Sequence, residues 1–265
     1  MRQLPEEVPS LGNLDNPRQI ARVLQALLAA SREETDDEDA AALAAFFAYV
    51  LSHPGVFRGQ LFQDAWVAWM LGDKRGGYFV EFGAADGYGI SNSYALETRF
   101  GWRGVIAEPN PVFHESLRRR RACTLSTKCV YRESGLSLPF APAENAELSR
   151  LRDIVPDDVQ EREQRRVLRP EDEIAVETVS LDDLLEEAGA PREIDFISVD
   201  TEGSELEILS AFDFDRWSVS LMCVEHNHTP QQKAIDALLE SKGFTRVWRS
   251  FTLFDAWYMQ GREVR

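Results

Sequence analysis

Short apolar runs alternate with stretches of helical periodicity along most of the chain. Runs of roughly four to eight apolar residues predict buried strands, and apolar residues at every third or fourth position predict amphipathic helices. By these patterns, strands are predicted at 78–82, 104–107, 127–131, 136–140, 174–179, 194–199, 219–224, 244–248 and 255–259. Helices are predicted at 17–31, 39–51, 60–71, 91–100, 111–121, 181–188, 205–209 and 231–241.

This alternation predicts an α/β fold in which a mostly parallel sheet carries helices on both faces, with an antiparallel pair of strands at the end of the chain. In such sheets, ligands bind at the carboxyl ends of the strands. Four strand ends are therefore expected to meet in space: 83–87, 108–110, 200–204 and 225–228.

Two regions stand apart from this rhythm. Residues 1–57 form a predicted N-terminal helical extension, either a cap packed on the core or a lid over the site, and 58–265 form the main domain. Residues 142–173 are charged, have few apolar positions and contain Pro156 and Pro170. An insertion of this kind often lies over a ligand, so we expect a lid there.

Charge limits the partners. The chain has 29 Lys and Arg against 45 Asp and Glu, a net charge of −16, which disfavours nucleic acid and anionic membranes as partners. The dense basic run 118–121 is interpreted as a solvated helix end. Three cysteines without a paired spacing, and no signal peptide or apolar run of about 20 residues, predict a cytoplasmic protein. The sequence leaves a homodimer open.

Residues 78–111 carry the chemistry: strand, glycine turn, helix, second strand and a terminal acid, which is the first half of a nucleotide-binding unit. Glu81 within the strand and Asp86 in the turn would repel a pyrophosphate. They favour a ligand with positive charge, such as S-adenosylmethionine, over a dinucleotide. Glu108 then stands where a ribose-binding acid belongs.

Three segments resemble one known family. FVEFGAADGYGISNSYALETRFGWRGVIAEPNP, with GQLFQDAWV before it and IDFISVDTEGSELEIL after it, is similar to the FkbM-type methyltransferases, over roughly residues 58–259. The resemblance implies a Rossmann-like class I methyltransferase with a mostly parallel seven-stranded sheet whose last strand is antiparallel. Ala84 and Ala85 depart from the residues common in the family but keep small side chains.

The resemblance also implies a function and a site. It implies O-methylation of a hydroxyl on a small acceptor, such as a sugar, glycoconjugate or secondary metabolite, with S-adenosylmethionine as cofactor. The cofactor-binding residues it implies are Glu81, Gly83, Ala84, Asp86, Gly87, Ser91, Asn92, Glu108, Pro109, Asn110 and Asp200.

Methylation of a hydroxyl also needs a base or a metal to remove a proton. Candidate catalytic residues are Asp200, Glu202, Glu225, His226 and His228. We expect His226 to be the general base; the alternative is that both histidines are satisfied within their loop. A second hypothesis is a Mg²⁺ site at Asp200 and Glu225, completed by Asn227 or a histidine, against the alternative of no metal.

Two other function classes stay open at this point: a nicotinamide-dependent oxidoreductase on a similar sheet, and a binding module without catalysis. The tryptophans are expected to pack the core and sheet and not to form a substrate cage: Trp66, Trp69, Trp217, Trp248 and Trp257. Cys223 is expected to be a buried thiol.

Overall fold

The structure is a computed structural model, and it describes residues 37–154, 173–249 and 251–261. The predicted helix at 17–31 and most of the predicted lid, including Pro156 and Pro170, lie outside the described residues.

Strands and helices follow each other in the predicted alternation. The strands are β1 (Tyr78–Phe82), β2 (Arg103–Ala107), β3 (Thr124–Ser126), β4 (Cys129–Val130), β5 (Ser137–Ala141), β6 (Arg150–Leu151), β7 (Ile174–Val179), β8 (Glu193–Val199), β9 (Ser218–Glu225), β10 (Phe244–Val247) and β11 (Asp255–Gln260). The helices are α1 (Asp37–Ser52), α2 (Gln63–Met70), α3 (Tyr94–Phe100), α4 (Pro111–Arg120), α5 (Leu181–Glu187), α6 (Glu205–Ala211) and α7 (Gln231–Ser241).

Within the part of the chain that the structure describes, the main sheet has seven strands in the order β10-β11-β9-β8-β1-β2-β3. The neighbouring pairs β3–β2, β2–β1, β1–β8 and β8–β9 are parallel. Strand β11 runs antiparallel to both β9 and β10. This confirms the predicted Rossmann-like fold, including its antiparallel last strand. The carboxyl ends of β1, β2, β8 and β9 therefore open on the same edge of the sheet as the start of β11.

Side chains of the central strands alternate between two cores. In β1, Tyr78, Val80 and Phe82 pack with β8, β9 and helices α5 to α7, whereas Phe79 faces the core built on α1 to α4. Glu81 shares the face of Phe79, because successive side chains point to opposite sides of a strand. It is buried, so a carboxylate lies within the sheet.

The helix α1 belongs to the first core. Leu43, Phe46 and Phe47 are buried, and Phe46 packs against Trp248 with ring centroids 5.3 Å apart. The tryptophans are core residues as predicted: Trp66, Trp217, Trp248 and Trp257 are buried, and Trp69 packs against the core that contains Trp66, Trp248 and Trp257. The division of the chain at residue 57 stays a prediction. Among the described residues, no helix is both long and apolar enough to cross a membrane.

Three of the predicted strands belong to a second sheet. The order β4-β7-β5-β6 is separate from the main sheet, and Cys129, Phe140, Leu151 and Val176 form its own small core. The predicted third strand at 127–131 is therefore wrong as a main-sheet strand; β3 takes that place. The reason is that β3 has only three residues and is only partly buried, so it lacks the apolar pattern of a strand. The more apolar run at 129–131 was therefore predicted in its place.

Candidate active site

A cavity of about 290 Å³ opens at the carboxyl edge of the main sheet. Four predicted strand ends meet around it: Gly83 and Ala85 after β1, Glu108 and Pro109 after β2, Asp200 to Glu202 after β8, and Glu225 with Asn227 after β9. The second sheet and the turn between β5 and β6 supply a further wall through residue 140 and residues 145–151. The sequence pattern predicted the first four walls. Residues 145–151 fall within the stretch 142–173 that was predicted to be a lid, and that role stays a prediction.

Gly83 allows two of these strand ends to meet. Its φ is +83°, a conformation that side-chain-bearing residues rarely adopt. A Cβ atom there would lie 2.0 Å from the carbonyl oxygen of Asp200. The turn after β1 can therefore reach the turn after β8 only because residue 83 is glycine.

Glu108 is held in place by the backbone on both sides. Its Oε1 accepts the N–H of Asn110 at 2.8 Å, and its Oε2 accepts the N–H of Ala85 at 3.1 Å. Burial raises the pKa of Glu108 to about 7, although these two donors oppose the shift. Each carboxylate oxygen has more than one lone pair, so the oriented group can still accept hydrogen bonds from a ligand's hydroxyls.

Glu81 has partners within the protein. Ser91 Oγ donates to its carboxylate at 2.9 Å, the N–H of Asn92 donates at 2.7 Å, and Ser93 Oγ donates as well. The guanidinium of Arg121 lies 3.6 Å away. These contacts tie β1 to the start of α3, which explains how a carboxylate can be buried within a strand.

Arg121 is a residue that the sequence reasoning missed. Its side chain is buried and ion-paired with Glu81 and Glu97, and it donates to the hydroxyls of Ser91 and Ser93. The interpretation of 118–121 as a solvated helix end is therefore wrong for this residue. The sequence could have indicated a buried arginine only through an acid that needs a buried partner. Glu81, which lies within the apolar strand β1, is such an acid.

Asp86 is a turn residue. Its Oδ1 accepts the N–H groups of Tyr88 and Gly89, and its Oδ2 lies 3.3 Å from the guanidinium of Arg120. Because this charge is matched by an arginine, the argument that Asp86 would repel a pyrophosphate loses its force.

The remaining predicted cofactor residues divide by position. Gly83, Glu108, Pro109 and Asp200 line the cavity; Glu81 and Asn92 line an adjoining chamber of about 20 Å³. Asn92 also donates to Ser198 Oγ at 2.9 Å. The others line neither space: Ala84, Asp86, Gly87, Ser91 and Asn110.

Three carboxylates gather at the ends of β8 and β9. Asp200, Glu202 and Glu225 each place one oxygen within 4.8 Å of the others. Burial, reinforced by the negative charges of Asp200 and Glu202, raises the pKa of Glu225 well above its ordinary value. Its Oε2 is buried with no hydrogen-bond partner among the described residues. Such a trio can accept protons and hydroxyl hydrogen bonds, and its oxygens suit a hard cation.

His226 lies beside this trio in sequence but outside the cavity wall. Its Nδ1 accepts the N–H of His228 at 3.0 Å, so Nε2 carries the hydrogen and donates to the carbonyl oxygen of Asp255 at 3.1 Å. Burial and the nearby Arg246 lower the pKa of His226 to about 4. These contacts agree with a histidine satisfied within its loop. The general-base role of His226 stays a prediction.

His228 is exposed and has a left-handed φ of +55°. It too is absent from the residues that line the cavity. Of the predicted catalytic set, the structure therefore brings Asp200 and Glu202 into the cavity together with Glu225.

The family comparison decides the class of enzyme. Residues 81–246, more than half of the 265-residue chain, match the model of the methyltransferase FkbM domain. The chain belongs to the FkbM methyltransferase family. It is therefore an S-adenosylmethionine-dependent methyltransferase, and neither a nicotinamide-dependent oxidoreductase nor a binding module without catalysis.

Similar solved structures are also methyltransferases. The METTL16 MTase domain is 12% identical, with 97% of each chain covered and a TM-score of 0.44. Precorrin-6y C5,15-methyltransferase from Geobacter metallireducens GS-15 is 14% identical, with 77% of this chain and 89% of that chain covered and a TM-score of 0.39. These TM-scores are too low to carry an argument about function. No curated protein matches the chain significantly.

The cavity fits the cofactor that the family uses. An oriented acid at the end of β2 suits ribose hydroxyls, and glycine at the turn after β1 lets a ligand approach the backbone. Glu108, Gly83 and Asp200 are the residues that would hold it.

Proposed function

We propose that this methyltransferase acts on a hydroxyl oxygen of a small polyhydroxylated acceptor, such as a sugar, glycoconjugate or secondary metabolite. The observation that carries the proposal is the trio Asp200, Glu202 and Glu225, which lines the same cavity as Glu108. Carboxylates accept hydrogen bonds from hydroxyls and can take a proton from one. A nucleophilic hydroxyl needs that help, because it reacts poorly while it keeps its proton.

The chain's own residues divide the work. When bound, S-adenosylmethionine supplies an electrophilic methyl carbon. Glu108 accepts hydrogen bonds from the ribose hydroxyls and thereby fixes the position of the cofactor's ribose in the cavity. Asp200 and Glu202 orient the acceptor's hydroxyl, and a carboxylate oxygen of the trio receives its proton. Orientation of the two reactants supplies much of the rate enhancement.

The charge of the cavity narrows the acceptor further. Among the described residues, the charged side chains that line it are five carboxylates and one guanidinium: Glu108, Glu147, Asp200, Glu202, Glu225 and Arg150. Burial raises the pKa of Glu108 to about 7 and that of Glu225 well above its ordinary value, so not every carboxyl group is charged near pH 7. The acidic groups still outnumber the one guanidinium, and in a partly enclosed space they disfavour a dianionic phosphate. The acceptor is therefore neutral or cationic, and not a sugar phosphate or a nucleic acid.

A matched panel of acceptors tests this proposal. The enzyme is incubated with S-adenosylmethionine and either methyl glucoside, glucosamine or glucose 6-phosphate, and the products are identified by mass spectrometry and NMR. We expect methyl ethers from the first two and little from the phosphate. Methyl transfer to nitrogen or carbon alone, in a panel that also offers amines and activated carbons, would overturn the hydroxyl assignment.

We also propose that the same trio binds a Mg²⁺ ion. Asp200 and Glu225 would hold the ion, and Glu202 would supply a third oxygen ligand. A cation there would offset the mutual repulsion of the carboxylates and lower the pKa of a bound hydroxyl. We expect EDTA to abolish turnover and Mg²⁺ to restore it, and Asp200→Asn to raise the Mg²⁺ concentration needed. Full turnover in EDTA would leave the trio as a proton acceptor without metal.

A further inference from the structure

Asn110 uses both ends of its side chain within the protein. Its Oδ1 accepts the N–H of Val112 at 3.2 Å and so caps α4, which begins at Pro111. Its Nδ2 donates to the carbonyl oxygen of Ala146 and to Ser149 Oγ, each at 3.2 Å. The residue is buried, and it is not part of the cavity lining.

Those two acceptors belong to a stretch that covers the cavity. Residues 145–151, here called the cover segment, all line the cavity. Ser149 Oγ strengthens the fold of this stretch, since it donates to the carbonyl of Ala146 at 2.7 Å and accepts the N–H of Ala143 at 3.1 Å. Asn110 provides a side-chain bridge from the end of β2 to this segment.

The bridge also reaches the residue predicted to hold the ribose. The backbone N–H of Asn110 donates to Glu108 Oε1, so one residue orients Glu108 through its main chain and the cover segment through its side chain. Loss of the side-chain amide would loosen the first part of the segment, whose last residues stay paired with β5, and would leave the hydrogen bond to Glu108 in place.

We propose that Asn110 is a positioning residue that fastens the cover segment over the cavity and thereby slows the release of ligand. It acts through Ala146 and Ser149 and not by direct contact with the cofactor, the role that the family resemblance implied for it. The proposal does not depend on which atom of the acceptor is methylated.

Asn110→Ser is the direct test, because serine keeps the helix cap but is too short to reach the cover segment. Ser149→Ala loosens the same bridge from the other side. We expect amide hydrogen exchange at Leu148 and Ser149, and the dissociation rate of S-adenosylhomocysteine, each to rise about tenfold in both variants. The effect of the double variant should be smaller than the sum of the two single effects, since both changes remove the hydrogen bond between Asn110 Nδ2 and Ser149 Oγ. The amides of α4 should keep their exchange rates.

Two results would overturn the proposal. One is faster release of S-adenosylhomocysteine from Asn110→Ser while exchange in residues 145–151 is unchanged and Ser149→Ala is silent, which would show direct contact. The other is unchanged release from a folded Asn110→Ser protein. If that variant fails to fold, Asn110→Asp serves instead: it keeps the cap and replaces the donor with an oxygen that faces the carbonyl of Ala146.

Discussion

Single residues fix the geometry of this site, and Gly83 is the most constrained of them. Gly83→Ala would place a Cβ atom 2.0 Å from the carbonyl oxygen of Asp200, at a φ that alanine disfavours. We expect a loss of roughly 3 kcal/mol or more in the free energy of unfolding, together with loss of activity. Urea denaturation measures the free energy of unfolding, and the formation of S-adenosylhomocysteine as a reaction product measures the activity.

Gly101→Ala is the matched control for backbone strain alone. Gly101 also has a left-handed φ, +68°, but no neighbouring atom of the described residues lies within 4 Å of a Cβ atom there. We expect this variant to lose only about 1 kcal/mol. Equal losses at the two positions would show that the contact with Asp200 does not matter.

Glu108 gives cofactor binding a pH dependence. Its pKa of about 7 in the unliganded protein means that much of it is protonated at pH 6, and a protonated carboxyl has lost accepting capacity for ribose hydroxyls. We expect S-adenosylhomocysteine to bind about tenfold more weakly at pH 6 than at pH 8, as measured by calorimetry. Glu108→Gln should bind weakly at both pH values; a slope that survives in this variant would assign the titration to another group.

At the scale of elements, Arg121 holds β1, α3 and α4 together through its buried contacts with Glu81 and Glu97. Arg121→Met would leave Glu81 buried without its cation. We expect a loss of about 3–5 kcal/mol in the free energy of unfolding, measured with urea. Glu81→Gln in the same chain should recover part of that loss, because it removes the unpaired charge.

The control for this prediction lies two residues away. Arg119 is exposed and lies 3.7 Å from Glu115, which is also exposed, so Arg119→Ala should change the free energy of unfolding by less than about 0.5 kcal/mol. If Arg121→Met were equally mild, the buried network would not be what joins the three elements.

Elements were predictable where their pattern was strong. The carboxyl ends of β1, β2, β8 and β9 could be read from the sequence because each strand is a buried apolar run that ends at a glycine or an acid. The second sheet could not, because a period of two identifies a strand but not its partner, and pairing depends on long-range contacts. The role of Asn110 was hidden for the same reason: Ala146 and Ser149 lie far along the chain.

At the scale of the whole molecule, several carboxyl groups are buried at a cost in stability. Burial raises the pKa of Asp64 and of Glu108 to about 7 and that of Asp255 to about 6. It also raises the pKa of Glu225 well above its ordinary value. Between the unfolded pKa near 4 and these values, the folded chain holds more protons than the unfolded chain. Its stability therefore falls as pH rises through this window.

We expect the free energy of unfolding of the ligand-free protein to be at least about 2 kcal/mol lower at pH 7.5 than at pH 5, by urea denaturation. A cation at Asp200, Glu202 and Glu225 would offset the part of this loss that comes from their mutual repulsion. If the trio binds Mg²⁺, the ion should therefore raise the melting temperature at pH 7.5 and have little effect at pH 5, where protons occupy the site. Asp200→Asn should abolish that gain. A Mg²⁺ effect that is equal at both pH values, or that survives in Asp200→Asn, would place the ion elsewhere on this acidic protein.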